Sequence, residues 1–133
     1  MTDSHHLRIL VVDDDAAFAR YLVRVVEMEP DFQVVGCASS LSEATSAADD
    51  IAPDVVLTDY RLPDGTGAGL ARHVHSALSE VRVIVLTAAP SPAIRRDVAA
   101  AQAWALMDKV VLPRRLTDAI RDAGLDVNSS LRR

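Results

Sequence analysis

The chain has 133 residues, enough for one domain with one core, and its composition, half apolar and a quarter charged, is that of an ordinary globular protein. A formal net charge of −5 argues against a surface built for non-specific nucleic-acid or anionic-membrane binding, since both favour basic protein. The single cysteine, Cys37, excludes an intramolecular disulfide and fits a cytoplasmic setting, and no apolar run approaches the ~20 residues of a membrane span or the apolar stretch of a signal peptide.

Residues 1–6 read as a disordered start, 7–124 as one domain, and 125–133 as a polar tail or the beginning of a linker. Leu7–Val12 reads as a buried strand, followed by a helix over Ala16–Met28 with Phe18, Leu22, Val25 and Val26 at helical spacing, stopped by Pro30. Phe32–Cys37 is the second strand, with Cys37 read as a small core residue. Ser40 and Glu43 have the spacing of a capping box opening a helix to about Asp49. Asp54–Thr58 is the third strand, Arg61–Gly67 a turn-rich loop, and Ala68–Ala77 a helix. Val81–Thr87 is the fourth strand, and Pro90–Gln102 a helix with prolines in or before its first turn. Trp104–Asp108 is a short fifth strand, and Leu112–Gly124 the last helix, with Gly124 as its stop. Five strand–helix repeats with continuous apolar strands predict an α/β fold: a five-stranded parallel sheet, doubly wound by right-handed crossovers.

Ligands of such sheets bind beyond the carboxyl ends of the strands. Strand one ends in Asp13, Asp14 and Asp15, strand three in Asp59, strand four in Thr87 and strand five in Lys109, the only lysine beside thirteen arginines. Carboxylates this close repel by roughly 4 kcal/mol per pair at ~4 Å and an effective dielectric of ~20. Carboxylate oxygens suit Mg²⁺, which would offset that repulsion. Asp59 is a candidate nucleophile towards a phosphoryl group, with Thr87 and Lys109 on the phosphoryl oxygens. Each residue alone has a plainer reading: Asp15 as a helix-start acid, Asp13 and Asp14 as loop acids, Lys109 as a surface cation. Their convergence on one edge favours the joint reading. His73 and His75 are two apart on a helix and face different ways, and His5 and His6 fall in the disordered start, so no histidine pair reads as a metal site.

The ordered set ILVVDDD, PDVVLTDYRLPDGTG, VIVLTA and Asp108–Lys109 resembles the receiver domain of two-component response regulators, over about Arg8 to Gly124. The stretch DFQVVGCASSLSEA is similar to receivers of the NarL/FixJ (LuxR-type) subgroup, whose members usually carry a C-terminal helix-turn-helix domain. The resemblance implies a strand order of 2-1-3-4-5. It implies Asp59 as phosphoacceptor from a histidine kinase, and Asp13, Asp14, Asp59 and the Arg61 carbonyl as the Mg²⁺ site. Thr87 and Lys109 would hold the phosphoryl group beside the small Ala88. It leaves room for a homodimer on phosphorylation, and for DNA contact only through a further C-terminal domain; a stand-alone receiver is the alternative. Three departures stand out. Gln102 occupies a position that is often Gly, suggesting a less tight turn into strand five. Leu106 occupies the aromatic switch position. Val110 follows Lys109 where many relatives have a cis proline, so a trans bond is expected there.

Other classes fit less well. A haloacid-dehalogenase-like phosphatase needs Asp-x-Asp-x-Thr after strand one, whereas Asp13-x-Asp15 runs into Ala16-Ala17. A flavodoxin-like FMN site needs hydroxyls and glycine where three carboxylates stand. A receiver fold kept only for docking would not need the full acid–Thr–Lys set, although Leu106 points that way. Strand alternation places Trp104 and Leu106 together beneath the flanking helices, opposite Ala105, Met107 and Lys109.

Overall fold

Strand β1 (Leu7–Val12) lies inside the molecule because its apolar run has no polar face: Ile9, Leu10, Val11 and Val12 are all fully buried. The computed structural model describes residues 6–78 and 80–131, with side chains to Leu125. Residues 1–5 of the expected disordered start, His5 among them, and residues 132–133 of the expected tail lie outside the described residues. Helix α1 (Ala16–Glu27) leads to β2 (Phe32–Ala38), α2 (Leu41–Ile51) and β3 (Val55–Asp59). A two-residue-per-strand hairpin, β4 (Arg61–Leu62) and β5 (Gly65–Thr66), precedes α3 (Gly67–Ala77), β6 (Arg82–Thr87), α4 (Pro92–Ala100), β7 (Ala105–Asp108) and α5 (Pro113–Leu131). The main sheet is parallel, in the order β2-β1-β3-β6-β7, which is the expected 2-1-3-4-5 with the hairpin set aside.

Alternate strand residues build two cores. Ile9, Val11, Leu57, Ile84 and Leu86 pack against α1 and α5, while Leu10, Val12, Val56, Val83 and Val85 pack against α2, α3 and α4. Helix starts follow the hydroxyls and acids: Asp15 accepts from Ala17 and Phe18, Ser40 from Glu43, Thr66 from Gly69 and Ser91 from Ile94. The capping box differs in one bond, because the Glu43 carboxylate takes the Ser39 amide and hydroxyl instead of the Ser40 amide. Arg8 closes the other end of α2, bonding the Ile51 and Ala52 carbonyls at 2.9 Å each. His73 and His75 do point apart, to Asp49 on α2 and to the Ala101 carbonyl.

Four expectations are corrected. Gly124 does not stop α5, which continues to Leu131 through residues expected to be tail. Glycine is there for contact: a Cβ would lie 2.6 Å from both Leu7 methyls, so α5 crosses close over β1. Cys37 is exposed because β2 is an edge strand that α1 covers incompletely, leaving a groove lined by Ala19, Val23 and Cys37. Trp104 precedes β7 and is 41% exposed, its ring stacked 5.7 Å from the Arg82 guanidinium; only Leu106 of that pair is half-buried beneath helices. The turn into β7 is tight despite lacking glycine, since Gln102 sits at φ 59° in the left-handed region. All peptide bonds among the described residues are trans, Lys109–Val110 included.

A left-handed non-glycine residue costs about 1–2 kcal/mol, and glycine's extra unfolded-state freedom gives back roughly half of that. Gln102→Gly is therefore expected to stabilise the fold by about 0.5 kcal/mol in urea denaturation. A loss of stability would show that the glutamine side chain contributes more than its backbone costs.

Candidate functional site

The sheet register builds the site. Val12 of β1 pairs with Thr58 of β3, so the next residues, Asp13 and Asp59, emerge side by side at the carboxyl edge. Thr87 of β6 pairs with Asp108 of β7, so Lys109 emerges beyond them, its amide bonded to the Thr87 carbonyl at 3.0 Å. Its Nζ lies 3.1 Å from Asp59 Oδ2 and 3.0 Å from Asp13 Oδ2, and 4.5 Å above the Phe18 ring. Asp13, Asp14, Asp59 and Lys109 are thus brought together. Thr87 is buried at the same edge, and its hydroxyl accepts from the Ala89 amide at 3.3 Å. Arg61 is exposed on the hairpin with its amide 3.3 Å from Asp59 Oδ1. Leu106 lies on the other side of the sheet from Met107 and its neighbours, against the α2/α3/α4 core.

The acids differ in what surrounds them. The Asp13 side chain is fully enclosed, and its amide reaches the Ala38 carbonyl at 3.0 Å. Oδ1 accepts from the Asp15 amide at 2.8 Å, whereas Oδ2 has the Lys109 charge nearby but no aligned hydrogen bond. Burial pushes the Asp13 carboxyl above its ordinary value, against the pull of the Asp15 amide and Lys109. Burial alone would lower Lys109, but its close contacts with the Asp13 and Asp59 carboxylates outweigh that and hold the ammonium above its ordinary value. One oxygen each of Asp13, Asp14 and Asp59 lies within 4.8 Å of the others. An all-oxygen set containing one poorly satisfied buried oxygen fits a hard cation.

Several contributors carry no sequence signal. Phe18 is one more apolar residue on α1 until α1 lies under Lys109. Gly67 allows the chain to turn back onto the site, because a Cβ there would be 2.7 Å from the Asp59 carbonyl. Asp64, at the hairpin tip, reaches across to the Leu41 and Ser42 amides and ties the loop after Asp59 to the start of α2. A turn acid beside glycine is visible in the sequence, but its helix partner is 22 residues away.

The acid–lysine cluster thus lies at the carboxyl edge of a doubly wound parallel sheet, where such folds place their functional sites. The chain belongs to the response regulator receiver domain family, which it matches over residues 9–121. It is 33% identical over 118 residues to the DNA-binding transcriptional activator DevR/DosR of Mycobacterium tuberculosis, covering 89% of this chain and 54% of that protein. It is 31% identical over 117 residues to the transcriptional regulatory protein LiaR of Bacillus subtilis, covering 88% and 56%. The signal receiver domain of the putative response regulator NarL from Mycobacterium tuberculosis matches with a TM-score of 0.87 at 29% identity, covering 90% of this chain and 97% of that one. The chain spans about half the length of these two curated relatives. Among the described residues no helix is long and apolar enough to cross a membrane.

Removing the Asp13 charge is expected to stabilise the metal-free protein. Asn at this position keeps an oxygen for the Asp15 amide, and Lys109 keeps Asp59. Asp13→Asn should gain about 1 kcal/mol in chemical denaturation with chelator present. A loss would mean that the Lys109 ion pair outweighs the cost of burying this carboxylate.

Proposed function

We propose that this chain is a Mg²⁺-dependent phosphoacceptor module of a two-component pathway, modified on Asp59 by a histidine kinase. The observation that carries the reading is Lys109 Nζ held at 3.1 Å from the carboxylate of Asp59 and 3.0 Å from that of Asp13. Asp59 Oδ1 accepts from the Arg61 amide at 3.3 Å, and the Asp59 side chain is partly open to solvent where that of Asp13 is fully enclosed. A carboxylate oxygen of Asp59 attacks the phosphorus, the P–N bond of the kinase phosphohistidine breaks, and its electron pair leaves on the imidazole nitrogen. Lys109 follows the charge onto the phosphoryl oxygens, and the Thr87 hydroxyl supplies a hydrogen bond there. The exposed Ala88 leaves the approach open. Asp13, Asp14, Asp59 and the Arg61 carbonyl would hold Mg²⁺, whose charge neutralises the same oxygens.

The similarity to DevR/DosR and LiaR supports a place at the N-terminal end of a DNA-binding transcriptional regulator acting in the cytoplasm. In that setting a phosphorylation-driven homodimer is the output, and DNA is contacted by a separate domain. A stand-alone receiver is the second reading, and the identity of the downstream coding sequence separates the two.

Acetyl phosphate with Mg²⁺ is expected to add one phosphoryl group by intact mass, and none in Asp59→Asn. Labelling that survives the substitution would move the acceptor elsewhere. Mg²⁺ at ten times its dissociation constant should stabilise the native chain by about 1.4 kcal/mol; a thermal midpoint unmoved by Mg²⁺ would exclude a metal site at these acids.

Lys109→Arg should fold normally yet label at least about tenfold more slowly, a barrier increase of ~1.4 kcal/mol. A guanidinium is a broad planar fork, and the slot between Asp13, Asp59 and Phe18 suits a compact ammonium. Wild-type labelling by the Arg variant would show that any cation suffices.

A further inference from the structure

The loop that carries Asp59 also holds α4. Tyr60 follows Asp59 directly, and its hydroxyl donates to Asp97 Oδ2 on α4 at 2.7 Å. The other Asp97 oxygen accepts from Arg72 on α3 at 2.5 Å. Arg72 first, and then Tyr60, hold the Asp97 carboxyl below its ordinary value. The Tyr60 backbone is fixed on both sides, its amide on the Leu86 carbonyl at 2.8 Å and its carbonyl on the Gly67 amide at 2.7 Å.

Helix α4 needs such a tie. Its buried residues are Ile94 and Val98, while Ala93, Arg95, Arg96, Ala99 and Ala100 face solvent. Two apolar anchors leave a nine-residue helix lightly held, so one charge-assisted hydrogen bond is a large share of what places it. The other route from the site towards this side of the sheet is weak in this chain. Leu106 lies there, and it has no polar group to exchange when Thr87 moves.

Phosphorylation perturbs both neighbours of Tyr60. A phosphoryl group on Asp59 draws Lys109 away from Oδ2 and disturbs the Arg61 amide on Oδ1. Tyr60 sits between Asp59 and Arg61 with its backbone hydrogen-bonded on both sides, so a small shift of this segment is carried to the far end of its ring. We infer that the Tyr60–Asp97–Arg72 chain of hydrogen bonds is a latch through which the state of Asp59 sets the position of α4, closed in the unmodified chain and released on phosphorylation. The latch rests on the assignment of Asp59 as the acceptor. Tyr60 and Asp97 act as positioning residues and take no part in the transfer.

Amide hydrogen exchange of peptides covering 92–100, read with and without beryllofluoride and Mg²⁺, tests the latch, with acetyl phosphate labelling followed by intact mass on the same proteins. In the wild type, α4 exchange is expected to rise about threefold or more on activation. In Tyr60→Phe and Asp97→Ala it should already be fast before activation and change little after it, while labelling persists and the double variant goes no further than either single one. Asp49→Asn, which removes the α2 charge facing His73 on the same α3 helix, should keep the wild-type response. A wild-type rise in Tyr60→Phe, or loss of the response in Asp49→Asn as well, overturns the latch. A labelled wild type whose α4 exchange never changes also overturns the latch and leaves the acceptor intact. A wild type that takes no phosphoryl group overturns the acceptor assignment and the latch together.

Discussion

The placement of one ammonium between two carboxylates governs the rest of this molecule. Asp13 and Asp59 end adjacent strands, one strand spacing or ~4.8 Å apart, where their repulsion is largest. The balancing charge comes from β7, two spacings beyond β3, so only a long, flexible side chain reaches back across the buried Thr87. Phe18 supplies the floor, presenting its ring to the ammonium, and this requires α1 to start immediately after the acids. Asp15 serves that start: its carboxylate caps α1, and its amide fixes the orientation of Asp13. Three consecutive aspartates thus stand in three different settings, as an enclosed acid beside Lys109, an exposed acid at the same edge, and a helix cap.

The cluster is satisfied without being relaxed. Asp13 is enclosed, raised by burial, and left with an oxygen that Lys109 approaches without alignment. Such a site keeps free energy in hand for a cation or a phosphoryl group, as functional sites commonly do. The segments around it are tied by polar contacts more than by packing. The hairpin after Asp59 is fastened to α2 through Asp64, and to α4 through Tyr60. By contrast, the α1/α5 side is closed by apolar packing, the close crossing of Gly124 over Leu7, and the grip of Arg121 on Glu29 and Asp31.

What the sequence could show divides along the range of the interactions. The five apolar runs, the hydroxyl and acid caps, and the acids and lysine at successive strand ends are local patterns, and they sufficed for the fold, the strand order through a family resemblance, and the clustered site. Gly124 misled because glycine has two uses. Local chemistry favours a helix stop, while close packing against Leu7 retains it mid-helix. Cys37 misled because an apolar run does not say which strand lies at the edge. Gln102 was marked as unusual by its family position, but only the backbone shows that the turn kept its left-handed geometry without glycine.

The sequence by itself determined which groups are present: carboxylate oxygens, a hydroxyl and a single lysine, each at the end of a strand. It could do so because residue type and strand alternation are read over a few positions. Only the tertiary structure decided which of these groups touch: that Lys109 bridges Asp13 and Asp59, that Phe18 lies beneath it, and that Tyr60 holds α4 through Asp97 while Leu106 offers no polar contact. Those contacts join residues 37 to 96 positions apart in the chain. They exist because helix crossings and sheet register fold distant segments together, and no local pattern encodes the few ångströms that separate a contact from a near miss.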